Sequence, residues 1–265
     1  MNARSIITKV PEVTIFFWIV KILTTALGES TSDYLVFHID PVIAVITGFI
    51  GFAIAIILQF SVRRYIPWIY WLAALMVAVF GTMAADVLHV GFGIQYLASA
   101  IFFSMTLMVI FVAWYASEKT ISIHSIYTFR REIFYWLTVL TTFALGTAVG
   151  DLTAITFRLG YLSSGIIFGI LIAIIAISHF IMTAILGAEH KHQSRNAVLA
   201  FWLAYIFTRP FGASFADWSG KTQSVGGLGW GDGWVSLVLF VLILAFVGYL
   251  AMSRKDVEQK HTTAS

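Results

Sequence analysis

Within FWIVKILTTALGESTSD, residues 17–33, an apolar run admits one lysine and two carboxylates: Lys21, Glu29 and Asp33. On a helix turning about 100° per residue, Glu29 and Asp33 lie within about 40° of one face. Two acids one turn apart supply oxygen ligands for a divalent cation or, by mutual repulsion, a carboxyl that holds a proton. The arrangement recurs. Counting from Trp18, a glycine stands ten residues on and an aspartate fifteen, and the same holds from Trp71, Trp136 and Trp202. The glycines are Gly28, Gly81, Gly146 and Gly212, and the aspartates are Asp33, Asp86, Asp151 and Asp217. Four of the seven aspartates and four of the nine tryptophans fall in this gapless register, which chance does not produce.

The positions four before each aspartate are Glu29, Thr82, Thr147 and Ala213, and His89 follows Asp86 by three. Asp33, Asp86, Asp151, Asp217, Glu29, Thr82, Thr147 and His89 are therefore the candidate ion-binding set, with the five carboxylates as the candidate metal ligands. Oxygen donors joined by one imidazole suit Mg²⁺, Mn²⁺ or Zn²⁺. Lys21, Arg209 and Arg158 are the candidate charge partners, either neutralising part of the acidic set or acting as tethered counter-ions. A plainer reading makes each aspartate a helix end that caps the following turn. That reading leaves Glu29 and Lys21, deeper in the same run, unexplained.

These residues must be positioned by membrane helices. The 265-residue chain is 60% hydrophobic and only 11% charged, with a mean hydropathy of +0.91, against about 25% charged residues in a soluble domain. Apolar runs of about 20 residues, enough to cross a hydrocarbon core, fall at 11–32, 41–61, 67–88, 94–116, 132–155, 161–186, 197–217 and 233–252. A seven-span reading would need one re-entrant segment. With no cysteine, disulfides, thiolate metal sites and thiol nucleophiles are excluded. Met1–Val10 is short and basic and precedes no small-residue cleavage site, so no cleavable signal is expected. Twelve Lys and Arg residues flank the spans on the side of the termini and two, Arg158 and Lys221, on the other. This places both termini in the cytoplasm.

Because each repeat holds two spans, the copies share one orientation. The expected fold is an all-α integral membrane protein, a single domain over 1–265. Its four parallel two-helix repeats, about 10–62, 63–117, 128–187 and 195–252, surround a pseudo-symmetric axis along the membrane normal, and 253–265 form a cytoplasmic tail. Each copy carries a Gly-x-x-x-small pair that lets helix backbones approach closely, which puts the odd-numbered helices inside. Leu-Gly in the first and third copies and Phe-Gly in the second and fourth suggest two unlike pairs. The aromatic-Trp pairs read as interface anchors. His179 reads as a hydrogen-bonded core residue, and Glu189, His190 and His192 as a solvated loop.

KVPEVTIFFWIVKILTTALGESTSDY, residues 9–34, followed by three weaker copies, resembles the bacterial membrane proteins defined by four tandem copies of a repeat of unknown function. The resemblance spans nearly the whole chain and implies the four-repeat architecture. It brings no activity with it.

Function is therefore expected from the acidic set: secondary transport of a cation, a divalent metal as substrate, coupled to protons or driven by the membrane potential. The alternatives are a passive channel with an acidic ring and a non-transporting membrane-anchored regulator. No ATPase motif supports primary pumping, and no second catalytic motif accompanies the acids, so no enzyme and no cofactor are expected. The expected partners are the lipid bilayer of a bacterial inner membrane, the inorganic cation and protons. Nucleic acid is not among them, and homo-oligomeric assembly stays open.

Overall fold

The computed structural model describes residues 8–186 and 195–257. Among them the chain is all-helical: α1 (Ile15–His38), α2 (Pro41–Ser61), α3 (Pro67–Asp86), α4 (Tyr96–Glu118), α5 (Phe129–Asp151), α6 (Tyr161–Leu186), α7 (Arg195–Gly220) and α8 (Asp232–Ser253). Local chemistry sets several ends. Thr14 accepts from the Phe17 amide to open α1. Asp40 accepts from Val42 and Ile43 before Pro41 opens α2, a position where the missing proline N–H costs nothing. Thr128 caps α5 through the Arg131 amide. Left-handed residues stop two helices, Lys119 after α4 and Arg254 after α8.

Seven helices are long and apolar enough to cross a membrane. The eighth, α1, has the length, at 24 residues; Lys21, Glu29, Asp33 and its Ser and Thr residues keep it below that composition. It also begins later and ends later than the apolar run 11–32: Thr14 caps its start, and Ser30, Ser32 and Asp33 lie within the helix rather than ending it. Outward faces of the even-numbered helices are apolar: Ile43, Ile46, Phe49 and Ile50 are all exposed on α2 alone. Such a face needs lipid around it.

α1, α3, α5 and α7 touch one another in a closed cycle, and α8, α2, α4 and α6 pack on them in that order. At each step of the cycle the repeated glycine is the close approach. A Cβ on Gly28 would lie 2.5 Å from Ala78 Cβ and 2.9 Å from its backbone carbon, and one on Gly81 would lie 2.8 Å from Phe143 Cβ. On Gly146 it would strike Arg209, and on Gly212 it would strike Thr25. Thr25, Ala78, Phe143 and Arg209 are equivalent, each seven residues after its repeat tryptophan. Every glycine thus rests on the matching residue of the next helix, where van der Waals contact replaces the hydrophobic drive that lipid removes.

The tryptophans are not interface anchors in three of the copies. Trp71, Trp136 and Trp202 are buried in one cluster with Phe17, Tyr70, Tyr135 and Phe201, while Trp18 is half-buried. The chain before α1 folds over this end and covers them. Val10 joins the cluster, and the segment is tied down by Lys9 N to Ile126 O, Glu12 N to Asp256 O and Tyr65 N to Thr8 O, at 2.9–3.0 Å. Lys9 Nζ reaches Glu132 Oε2 at 2.5 Å, and Gln59 Nε2 donates to Glu132 Oε1 at 2.9 Å. The Lys-Val-Pro-Glu start of the first copy is thereby a strap across one end of the bundle.

Candidate functional site

With the four odd helices in register, repeated positions stack in levels about 6 Å apart, the rise of four residues. Three residues after the tryptophans stand Lys21, Ala74, Val139 and Tyr205; seven after, Thr25, Ala78, Phe143 and Arg209. Eleven after come Glu29, Thr82, Thr147 and Ala213, and fifteen after come the aspartates. Every residue of the first three levels is buried. In the aspartate level Asp217 is buried, and Asp33, Asp86 and Asp151 are half-buried.

Arg209 organises the middle. Its Nη2 donates to Glu29 Oε2 at 2.5 Å and to Thr147 Oγ1 at 2.7 Å, and also to Thr82 Oγ1. Its Nη1 reaches Thr25 O at 3.5 Å. Thr82 and Thr147 give their own protons to Ala78 O and Phe143 O, so only lone pairs face the guanidinium. One residue on α7 therefore gathers the three polar members of the level below the aspartates, a task suited to a planar, permanently charged fork. Gly146 provides the room, since any side chain there would occupy the Arg209 stem.

Lys21 lies a level further in. Its Nζ is 4.1 Å from the Phe143 ring centroid and 4.2 Å from that of Tyr205, and it has no hydrogen-bond partner among the described residues. Two aromatic faces offer a cation some compensation for lost water. Beneath it, the Tyr70 and Tyr135 hydroxyls meet at 2.5 Å.

The acidic level divides in two. Glu29, Asp33 and Asp217 bring carboxylate oxygens within 4.8 Å of one another, and Asp86, His89 and Asp151 do the same with two carboxylates and a ring nitrogen. Lys221 enters the first cluster, pairing with Asp33 Oδ2 and lying 3.8 Å from Asp217 Oδ1. Burial works against the Lys221 charge, but Asp217 and Asp33 outweigh it and hold its pKa above the ordinary lysine range. The second cluster has no ion pair among the described residues. His89 is buried there, and neither ring nitrogen has a hydrogen-bond partner.

None of the four aspartates makes a side-chain capping hydrogen bond among the described residues. Asp33 and Asp217 lie within α1 and α7. Asp86 and Asp151 end α3 and α5 without a capping bond, each followed by a π-helical turn, Val87–Gly91 and Leu152–Thr156. At this end the second and third copies are alike, which departs from the pairing that Leu-Gly and Phe-Gly suggest.

Arg158 is not a charge partner: it is exposed in a left-handed turn beyond α5 and forms no ion pair among the described residues. Lys221 takes that place. The signal for it is its position four residues after Asp217, in the loop just past the end of α7. His179 is half-buried and lines an apolar groove of about 660 Å³ among α1, α6 and α7, away from the acids. Glu189, His190 and His192 lie outside the described residues.

Comparison with curated proteins and with solved structures returned no match. The family model described as Repeat of Unknown Function (DUF347) matches four times, over residues 16–65, 69–120, 134–184 and 200–256. Each match begins two residues before a repeat tryptophan, so the family's unit has the same register as the levels. The chain is a member of the Repeat of Unknown Function (DUF347) family.

Proposed function

We propose that the protein is a secondary transporter of a divalent metal cation, moved through the acidic level of Asp33, Asp86, Asp151 and Asp217, with Glu29 as ligand or proton carrier. The supporting observation is the gathering of five carboxylates and His89 into two clusters of donor atoms within 4.8 Å of one another. Acids at membrane depth are costly and usually serve an aqueous cavity, a partner or a transported ion. The bundle sits in a bacterial inner membrane as eight spans, four parallel repeats about an axis along the membrane normal. The odd helices are inside and both termini cytoplasmic. The distribution of Lys and Arg supports this topology, as does the closed cycle of odd-helix contacts.

Arg209 favours a transporter over the alternative of an open channel. A buried guanidinium one level inside the aspartates repels a dication, so passage requires Arg209 to change partners. Such an exchange between two arrangements is what alternating access demands. Protons or the membrane potential supply the drive.

The test is flux into proteoliposomes loaded with a metal-sensitive dye. Glu29→Gln and Asp33→Asn abolish uptake, and planar-bilayer recordings of the wild type stay silent. Unitary currents would favour the channel, and unchanged flux in both variants would remove these acids from the pathway.

A further inference from the structure

We infer that the four aspartates are not equivalent: Asp86, His89 and Asp151 form the metal site proper, selective for a borderline dication such as Mn²⁺, Co²⁺ or Zn²⁺. The cluster of Glu29, Asp33 and Asp217 instead carries a built-in cation, the Lys221 ammonium. This inference rests on the transport reading only in taking the bound metal as the cargo.

The unpartnered imidazole carries the argument. His89 is 8% exposed, and both of its ring nitrogens are buried without a hydrogen bond among the described residues. Buried polar side-chain atoms nearly always have partners, and leaving one without costs about 1–3 kcal/mol. The donor atoms within reach of the ring are carboxylate oxygens of Asp86 and Asp151, all within 4.8 Å of one another. A metal ion among them would satisfy the imidazole and both acids together. The Tyr96 ring, 4.4 Å away and steeply inclined, backs the imidazole on one side.

Charge separates the two clusters. Lys221 already answers Asp33 and Asp217, and Arg209 answers Glu29. No cationic side chain pairs with Asp86 or Asp151 among the described residues. Backbone geometry separates them too: the π-helical turns follow Asp86 and Asp151 and neither of the other two aspartates. Such turns, rare in general, recur at functional sites.

Ligand type then sets the metal class. Two carboxylates and one imidazole suit Mn²⁺, Co²⁺ and Zn²⁺, whereas Mg²⁺ and Ca²⁺ take oxygen donors and gain little from a ring nitrogen. Three protein ligands leave positions for water, as an ion that must leave again requires.

The experiment is a Co²⁺ titration of the purified full-length protein in detergent. It is read by visible ligand-field absorption, with Mn²⁺, Zn²⁺, Mg²⁺ and Ca²⁺ as competitors. Wild type binds Co²⁺, yields it to Zn²⁺ or to a large excess of Mn²⁺, and retains it against equimolar Mg²⁺ or Ca²⁺. His89→Gln and Asp151→Asn weaken binding at least about tenfold, since even outer-shell partners of a metal cost that much. Asp33→Asn has the smaller effect, and Lys221→Met opens a second binding event at the other cluster. His89→Cys retains Co²⁺ and adds a thiolate-to-cobalt charge-transfer band, a signature that a structural role for His89 would not produce. Displacement by equimolar Mg²⁺, or binding lost in Asp33→Asn but kept in His89→Gln, would overturn the inference while leaving the transport reading to its flux assay. Co²⁺ bound through His89 in a protein that shows no flux would overturn transport and keep the site.

Discussion

Arg209 on α7 holds Glu29 on α1 at 2.5 Å, with 0% of one side chain and 6% of the other exposed. The two residues are 180 positions apart in sequence, and their contact closes the helix cycle where the last repeat meets the first. Removing one member of a buried pair leaves a charge without compensation and costs about 3–5 kcal/mol, whereas replacing both with apolar groups is often neutral. Glu29→Met is therefore expected to lower the thermal unfolding midpoint in detergent, and Glu29→Met with Arg209→Met to recover much of the loss. A single variant as stable as wild type would show that the pair does not hold the cycle together.

The repeated glycines predict a graded steric effect. Gly28→Ala meets Ala78 backbone as well as its Cβ, so two helices must separate, and overpacking of this kind costs about 1–3 kcal/mol. Gly248→Ala, whose nearest neighbour is the Trp68 ring at 3.7 Å, serves as the comparison and is expected to stay within about 0.5 kcal/mol of wild type. Thermal unfolding of both variants side by side checks the difference.

Lys21 is fully buried, and its Nζ has no hydrogen-bond partner among the described residues. A methionine of similar volume leaves no polar atom unpaired. Lys21→Met is expected to stabilise the protein by about 1–3 kcal/mol, the cost of leaving a buried polar group without a partner, while lowering cation flux. If the variant is stabilised and transports at the wild-type rate, Lys21 has no part in the cycle.

The strap before α1 depends on Lys9 meeting the fully buried Glu132. Among the described residues, Lys9→Met leaves that carboxylate with only Gln59 Nε2 as donor. Limited proteolysis is expected to cut the segment before α1 faster in the variant than in wild type. Equal cutting rates would mean that the backbone bonds alone hold the strap.

Much of the site was legible because the repeat has no gaps. Trp, Gly and Asp in one register identified the aspartate level, and four residues back from it lay Glu29, Thr82 and Thr147, the residues that Arg209 binds. What closed the site was not legible. Lys221 reads as a loop residue because nothing apolar follows it, yet it lies one turn beyond Asp217. The tryptophans read as interface anchors because periodicity marks a helix end but not what folds over it. The π-helical turns that follow Asp86 and Asp151 were not legible either, since they depend on backbone bonding that residue type barely encodes.

Parallel flux assays of Asp33→Asn, Asp86→Asn, Asp151→Asn and Asp217→Asn in proteoliposomes, normalised to folded protein, test the transport role of the acidic level most directly. Divalent metal uptake by wild type and a drop of at least about tenfold, about 1.4 kcal/mol in barrier, in every variant is the predicted result. Wild-type rates in all four would contradict it.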